Sequence, residues 1–304
     1  MATGKAARDN IRHNARSLRP LRSVAVAVLI AIYFCVFGTA FFAIVRAQDT
    51  GRASRLTPIQ AEIERQRQRL ASTEVEERRD ALMRLGNLHR PEASRVAANG
   101  LSDQIPVVRA TAAHAIIHLS SEEAATLLIP HLQDRVEFVR QEVAYALGQT
   151  RSRSAVPPLV NAMLGDKKNS VRNASVVALG LIGDESAVVS LSQVLAENSN
   201  IDARSTTGRR KKQKKRKARG DEFLLRAAAH SLGQIRSRAG VPALISALSS
   251  EANSSDVRRE AAMALGIIAD KSAMPALQAA VAADDPYLAQ IAYDSLRRIA
   301  NTKQ

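Results

Sequence analysis

The strongest constraint on this chain is that it repeats itself. Four stretches read nearly alike: VRQEVAYALGQTRSRSAVPPLVNAM from Val139, VRNASVVALGLIGDESAVVSLSQVL from Val171, LLRAAAHSLGQIRSRAGVPALISAL from Leu224 and VRREAAMALGIIADKSAMPALQAAV from Val257. The residue after the recurring Leu serves as a marker for each unit: Gly86, Ile117, Gly148, Gly180, Gly233, Gly266 and Arg297. The markers are 31, 31, 32, 53, 33 and 31 residues apart, so the one long step holds an insertion of about 21 residues, at 198–220. A fixed period of this size describes a unit that buries its apolar face only against its neighbours.

Within a unit the apolar positions recur at helical rather than alternating spacing. One row reads Leu85, Ile116, Leu147, Leu179, Leu232, Leu265, Leu296, and a second reads Ala97, Leu128, Leu159, Leu191, Leu244, Leu277. Small residues such as Ala144, Ala229 and Ala262 sit beside the first row. Pro157, Pro242 and Pro275 fall at the first turn of a second helix, where a missing N–H costs little. Each unit is therefore a helix, a turn and a helix. The expected fold is all-α: an α-solenoid of stacked helix pairs over 73–304, preceded by one N-terminal transmembrane helix. Its repeats lie near 73–103, 104–134, 135–166, 167–197, 221–252 and 253–283, with a half repeat at 284–304.

The pattern VR-x6-ALG-x-I…AVPAL-x2-AL resembles the short HEAT repeats, the variety associated with phycobilisome lyases. The resemblance implies a solenoid and, for most such proteins, a scaffold or adaptor role. Two related kinds of protein perform chemistry. Deoxyhypusine hydroxylase has a similar fold and uses His-Glu dipeptides on successive repeats to hold two irons. None of the six histidines (His13, His89, His114, His118, His131, His230) is followed by Glu. The lyase branch attaches bilins, and no motif singles out a chromophore pocket. The expectation is thus a chain that is not an enzyme and carries no cofactor, with an accessory role in a bilin lyase as a remote alternative.

Charge is concentrated rather than spread. The chain carries +15, of which 1–22 supply +5 and 198–220 supply +9, leaving a nearly neutral body. That body is no basic nucleic-acid surface. Ten aromatic residues, five of them between Tyr33 and Phe42, leave little for a stacking platform. Cys35 is the only cysteine, which excludes a disulfide framework and a Cys-based metal site.

Ser23 to Val45 is a run of 23 residues without a charge. At 1.5 Å per residue such a helix spans the ~30 Å hydrocarbon layer. Six basic residues precede it and only Arg46, Arg52 and Arg55 follow closely, so the positive-inside rule keeps the 1–22 tail cytoplasmic and exports the solenoid. A secretory signal cleaved after Ala47 is the alternative, although its apolar region would be unusually long. Residues 46–72, with QAEIERQRQRLAS from Gln60, read as a linker or stalk helix.

Three candidate sites follow. The second helices are expected to line the concave face, where Asn99, Val160, Asn161, Gln193, Ile245, Ser246 and Gln278 point away from the core rows and suit a peptide or helix from a protein partner. The run Arg209, Arg210, Lys211, Lys212, Lys214, Lys215, Arg216, Lys217 and Arg219 cannot collapse on a core. It is expected to form a disordered loop attractive to anionic lipid or another polyanion, with no sequence-specific nucleic-acid contact. His114 and His118 stand one helical turn apart, but the His114 slot holds Met83, Tyr145, Val177, His230 and Met263 in other units, as a slot needing bulk would. No metal site is expected there. The row Arg78, Arg109, Arg140, Arg172, Arg258 is expected to bond to aspartates such as Asp103, Asp134, Asp166 and Asp256 between repeats.

Overall fold

Alanine, leucine and arginine favour helix throughout the repeats, and the prolines and turn residues between them set where each helix stops. A computed structural model describes residues 56–199 and 210–302, with side chains over 56–196 and 222–302. The chain divides into two units, Met1–Glu62 and Ile63–Gln304. In chain order the helices are α1 (Pro58–Arg69), α2 (Val75–Asn87), α3 (Pro91–Ala97), α4 (Pro106–Ala115), α5 (Ser121–Leu128), α6 (Glu137–Thr150) and α7 (Val156–Gly165). They continue with α8 (Asn169–Ile182), α9 (Val188–Ser199), α10 (Arg210–Ile235), α11 (Val241–Ser249), α12 (Ser255–Ile268), α13 (Met274–Val281) and α14 (Pro286–Asn301). From α2 onward the even-numbered helices are the first helices of their repeats and the odd-numbered ones the second. There is no strand among the described residues.

The first helices stack on one another in succession, and each second helix leans on the first helix of the following repeat. The marker glycines explain how close that stacking is. A Cβ on Gly148 would lie 2.7 Å from the Cα of Ala178, and one on Gly266 would lie 2.9 Å from the Cα of Ser295. The facing residue is always small and always two positions before the next marker: Ala115, Ala178, Ser231, Ala264, Ser295. Where it is Ser, the hydroxyl donates back to the preceding first helix, Ser231 to the Val176 carbonyl and Ser295 to the Ala262 carbonyl, both at 2.9 Å. Both leucine rows are buried as expected, apart from Leu296 in the last helix, which is partly buried.

Three residues after the marker the chain reverses in the left-handed region, at His89, Arg151, Gly183, Arg236 and Ala269. Only one of these is glycine, so four turns hold a strained residue at a cost of about 1 kcal/mol each. In three repeats the next residue offsets part of this by capping a short 3-10 turn, Asp184 and Asp270 accepting from Ser186 and Ser272 and Ser237 accepting from Ala239. Pro157, Pro242 and Pro275 then start the second helices within the first two positions.

Two expectations change. The polybasic stretch does not stay unstructured: α9 runs to Ser199 and α10 is helical from Arg210, a 26-residue helix. Lys, Arg, Gln and Ala are good helix formers, and elongating a helix that a packed repeat already nucleates is far easier than starting one. In the second repeat α4 stops at Ala115, so Ile117 lies outside the helix and cannot act as the glycines do. The proposed span 23–45 and Arg209 lie outside the described residues. Among the described residues no helix is long and apolar enough to cross a membrane.

Gly148→Ala should cost about 1–3 kcal/mol by overpacking against α8. Gly165→Ala, with nothing within 4 Å of the new methyl, should be neutral or stabilising by up to about 1 kcal/mol. Urea melts of the two variants, differing in sign, check the assignment.

Candidate functional site

The second helices α7 (VPPLVNAMLG), α11 (VPALISALS) and α13 (MPALQAAV) contain no charged residue at all. Of the positions expected to face a partner, Asn161, Gln193, Ser246 and Gln278 are exposed on α7, α9, α11 and α13. Asn99 is exposed too, but on the 3-10 turn after α3 rather than on a helix. Val160 and Ile245 differ: both are partly buried and packed against the core, so their outward-pointing assignment is corrected. Leu164, at 46% exposed, and Val189, at 76%, lie on the same helices and escaped the sequence reading. They occur in single repeats, so no row betrayed them.

The basic candidates Arg210, Lys211, Lys212, Lys214, Lys215, Arg216, Lys217 and Arg219 all fall on α10, N-terminal to its buried Leu224 and Leu225.

The arginine row forms the expected bonds between repeats in three cases. Arg78 binds Asp103 through two nitrogens at 2.7 and 3.1 Å, Arg109 binds Asp134 at 2.7 and 2.9 Å, and Arg140 binds Asp166 at 2.7 and 3.0 Å. Each guanidinium also donates backward to the loop before its own helix, Arg109 to the carbonyls of Asp103 and Gln104 and Arg140 to that of Asp134. One arginine thus ties two successive loops together. Burial alone would raise the pKa of these aspartates; the facing arginine and a backbone N–H (Ile105, Val136 or Lys168) more than offset it, and all three stand below the ordinary Asp value. The pattern breaks later. Ala283 occupies the slot where Arg258 would need its aspartate, so Arg258 donates to the Leu248 carbonyl at 2.9 Å. Its neighbour Arg259 takes Asp285 instead, with two bonds of 2.9 Å. Asp256 pairs with Arg259 and Arg226 rather than with Arg258.

The histidines go to separate partners. His114 meets Glu142 at 2.7 Å and His230 meets Glu260 at 2.8 Å, the same slot used the same way in two repeats. That slot takes a cross-repeat hydrogen bond as well as bulk. His118 lies beyond the end of α4 and stands edge-on to His89, ring centroids 4.5 Å apart. Burial, with His89 beside it, lowers the His118 pKa.

The aromatics were also missed. Phe138, Phe223 and Tyr287 are all exposed, and all stand ten residues before a marker. The slot could have been found by aligning the repeats, since three of the five aromatics outside 33–42 fall in it. Tyr287 lies under the Arg259 guanidinium, 5.1 Å from ring centre to carbon.

The family pattern of HEAT repeats matches residues 63–147, 137–208 and 217–297, about three quarters of the chain. The chain belongs to the HEAT-repeat family. Among curated proteins, deoxyhypusine hydroxylase of Saccharomyces cerevisiae is 34% identical over 76 residues, 25% of this chain and 23% of the relative. The Candida glabrata enzyme of the same name is 32% identical over 87 residues, 28% of this chain and 27% of the relative. The HEAT chain therefore spans about a quarter of the length of these relatives. Among solved structures, human deoxyhypusine hydroxylase in complex with glycerol is 19% identical with a TM-score of 0.37, covering 80% of this chain and 97% of that one. The complex of CpcE and CpcF of phycocyanin lyase from a Nostoc species is 22% identical with a TM-score of 0.44, covering 81% and 93%.

These relatives overturn the expectation that the chain is not an enzyme, because the curated proteins it matches are enzymes by name. The two-iron ligand set that the hydroxylase resemblance implies does not fit the described residues. No histidine is followed by Glu, and no group of three or more His, Cys, Asp or Glu is placed to hold a metal among them. His114–Glu142 and His230–Glu260 each bring one imidazole and one carboxylate, on repeats far apart in the stack.

The lowered aspartates make a pH prediction. A carboxylate whose folded pKa is depressed contributes stability that is complete above its unfolded value of about 3.9 and is lost as pH falls through the folded one. Asp134→Asn should cost about 3 kcal/mol near neutral pH, since it leaves the buried Arg109 without its carboxylate. The variant should also lose less stability than the parent between about pH 5 and 2. Thermal melts across that range check both.

Proposed function

We propose that the HEAT stack binds a protein partner along its second helices. The observation that carries this is the absence of charge from α7, α11 and α13 in a chain where 24% of residues are charged. Desolvating a charge is costly, and the centres of protein interfaces are depleted in Lys, Glu and Asp for that reason. Asn161, Gln193, Ser246 and Gln278 offer short polar groups beside the apolar Leu164 and Val189, the composition of a surface that takes a helix or an extended peptide. Binding of this kind serves a substrate as well as a scaffolded partner, so the reading holds with catalysis or without it.

A second reading rests on α10. Nine cations from Arg209 to Arg219 favour anionic lipid or another polyanion, each worth about 1 kcal/mol near an anionic membrane surface. That lipid value applies to a cytosolic stack; the uncharged run 23–45 supports a membrane anchor with the stack exported, where an anionic glycolipid, a wall polymer or an acidic protein would be the polyanion.

Crosslinking capture from intact membranes separates the readings. Changing Asn161, Gln193 and Ser246 together to Arg should weaken partner capture while deletion of 209–219 leaves it intact. Capture abolished by the deletion alone, and falling steeply with salt, would transfer the function to α10. A reporter active only outside the cytoplasm, fused after Gln304, should be active, with the mature N-terminus still at Met1 or Ala2 rather than Gln48. An inactive reporter reverses the proposed topology.

A further inference from the structure

The end of the stack holds three guanidinium groups that the rest of the fold does not use. Nearby arginines are committed: Arg226, Arg238 and Arg259 all form ion pairs. Arg236, Arg297 and Arg298 form none among the described residues, and they converge on one open cavity of about 630 Å³. Its remaining lining includes Gly266, Ala269, Asn301 and Thr302, together with Asp294, whose carboxylate accepts from Gln290 at 3.1 Å. Three cations and one anion leave two positive charges in excess.

The cavity exists because the last repeat departs from the pattern. Arg297 fills the slot that holds glycine in every full repeat except the second, so α14 presents a guanidinium there instead of bare backbone. α14 continues to Asn301, whereas α12 turns at Ala269, and the last turn of α14 therefore overhangs the α12 turn. Arg236 reaches the same space from the left-handed turn after α10, while Arg238, two residues on, is taken by Asp270. The site thus draws on three successive repeats.

We propose that this cavity binds a phosphate-type dianion, held by Arg236, Arg297 and Arg298. Guanidinium pairs match the oxygen spacing of a phosphoryl group and bind it with two parallel bonds. Two excess charges match a dianion better than a single carboxylate. Asn301 lines the cavity as a neutral donor, while the Thr302 hydroxyl is already spent on the Arg298 carbonyl at 2.8 Å. Capping of the helix C-termini is the structural alternative, since cations are favoured there. It calls for no anion and would respond alike to phosphate and chloride.

The test is calorimetric titration of the full chain at low ionic strength with inorganic phosphate and, separately, with phosphoserine. The expected result is one saturable site per chain whose Kd rises at least about tenfold in the R236Q/R297Q/R298Q variant. The R90Q/R135Q variant, which removes two other arginines without ion pairs among the described residues, should keep it. The run 209–219 is present in all three proteins, so the difference belongs to the cavity. R236Q alone should weaken the site partly while its melting temperature in chloride stays that of the parent, which guards against a folding effect. Tighter binding of phosphoserine than of inorganic phosphate would mean the group is carried on a protein, and the reverse that it is free. Equal phosphate affinity in the parent and the triple variant, or no saturable site in the parent, overturns the proposal.

Discussion

Successive first helices come so close that a methyl group on Gly148 would stand 2.7 Å from the backbone of Ala178, and most of the architecture follows from that contact. Helices at this separation leave room for one small residue, which is why the facing position holds Ala or Ser from one end of the stack to the other. The tight layer fixes the rise from repeat to repeat. The second helices then fill the wedge that remains, resting on the next repeat through a buried leucine from α5 onward. An apolar row alone would hold the repeats together; the glycine and its small partner hold them in a single register.

The arginine bonds act on the same boundaries from the loop side. Arg78, Arg109 and Arg140 each grip the carbonyls before their own helix and the aspartate after it, so the loops of the first four repeats are linked in series. A surface ion pair would add little, but these side chains are largely buried and bidentate. Beyond the insertion the arrangement is improvised, with Arg259 doing from the neighbouring position what Arg258 cannot. The two halves of the stack thus share one packing rule and differ in their polar fastenings.

Much of this was legible in the residues. The two apolar rows, the helix pairs, the prolines at second-helix starts and the arginine-to-aspartate bonds all follow from lining up the repeats, because many copies report on one slot. What stayed hidden occurs once. Ile117 announces that the second repeat lacks its glycine, yet nothing local says that α4 will stop at Ala115. The slot that should have served Arg258 holds Ala283, and a bond defined by an absence has no motif. Val160 and Ile245 sit one position from exposed neighbours, and at helical spacing one step of about 100° decides between groove and core. The helical state of 210–219 departs from expectation because charge density suggests disorder, whereas propensity and a packed continuation from Leu224 onward favour helix.

The shortened α4 has a mechanical meaning. In a linear array each boundary bears load by itself, since repeats touch only their neighbours. At the boundary between the second and third repeats the interlocking of small residues is missing, and Arg109–Asp134 and His114–Glu142 stand as its polar links. Shear along the stack would be resisted by interlocked backbone elsewhere but here by side chains that can swivel. The molecule would therefore bend at that point, as a spring with one softer coil takes up most of the extension.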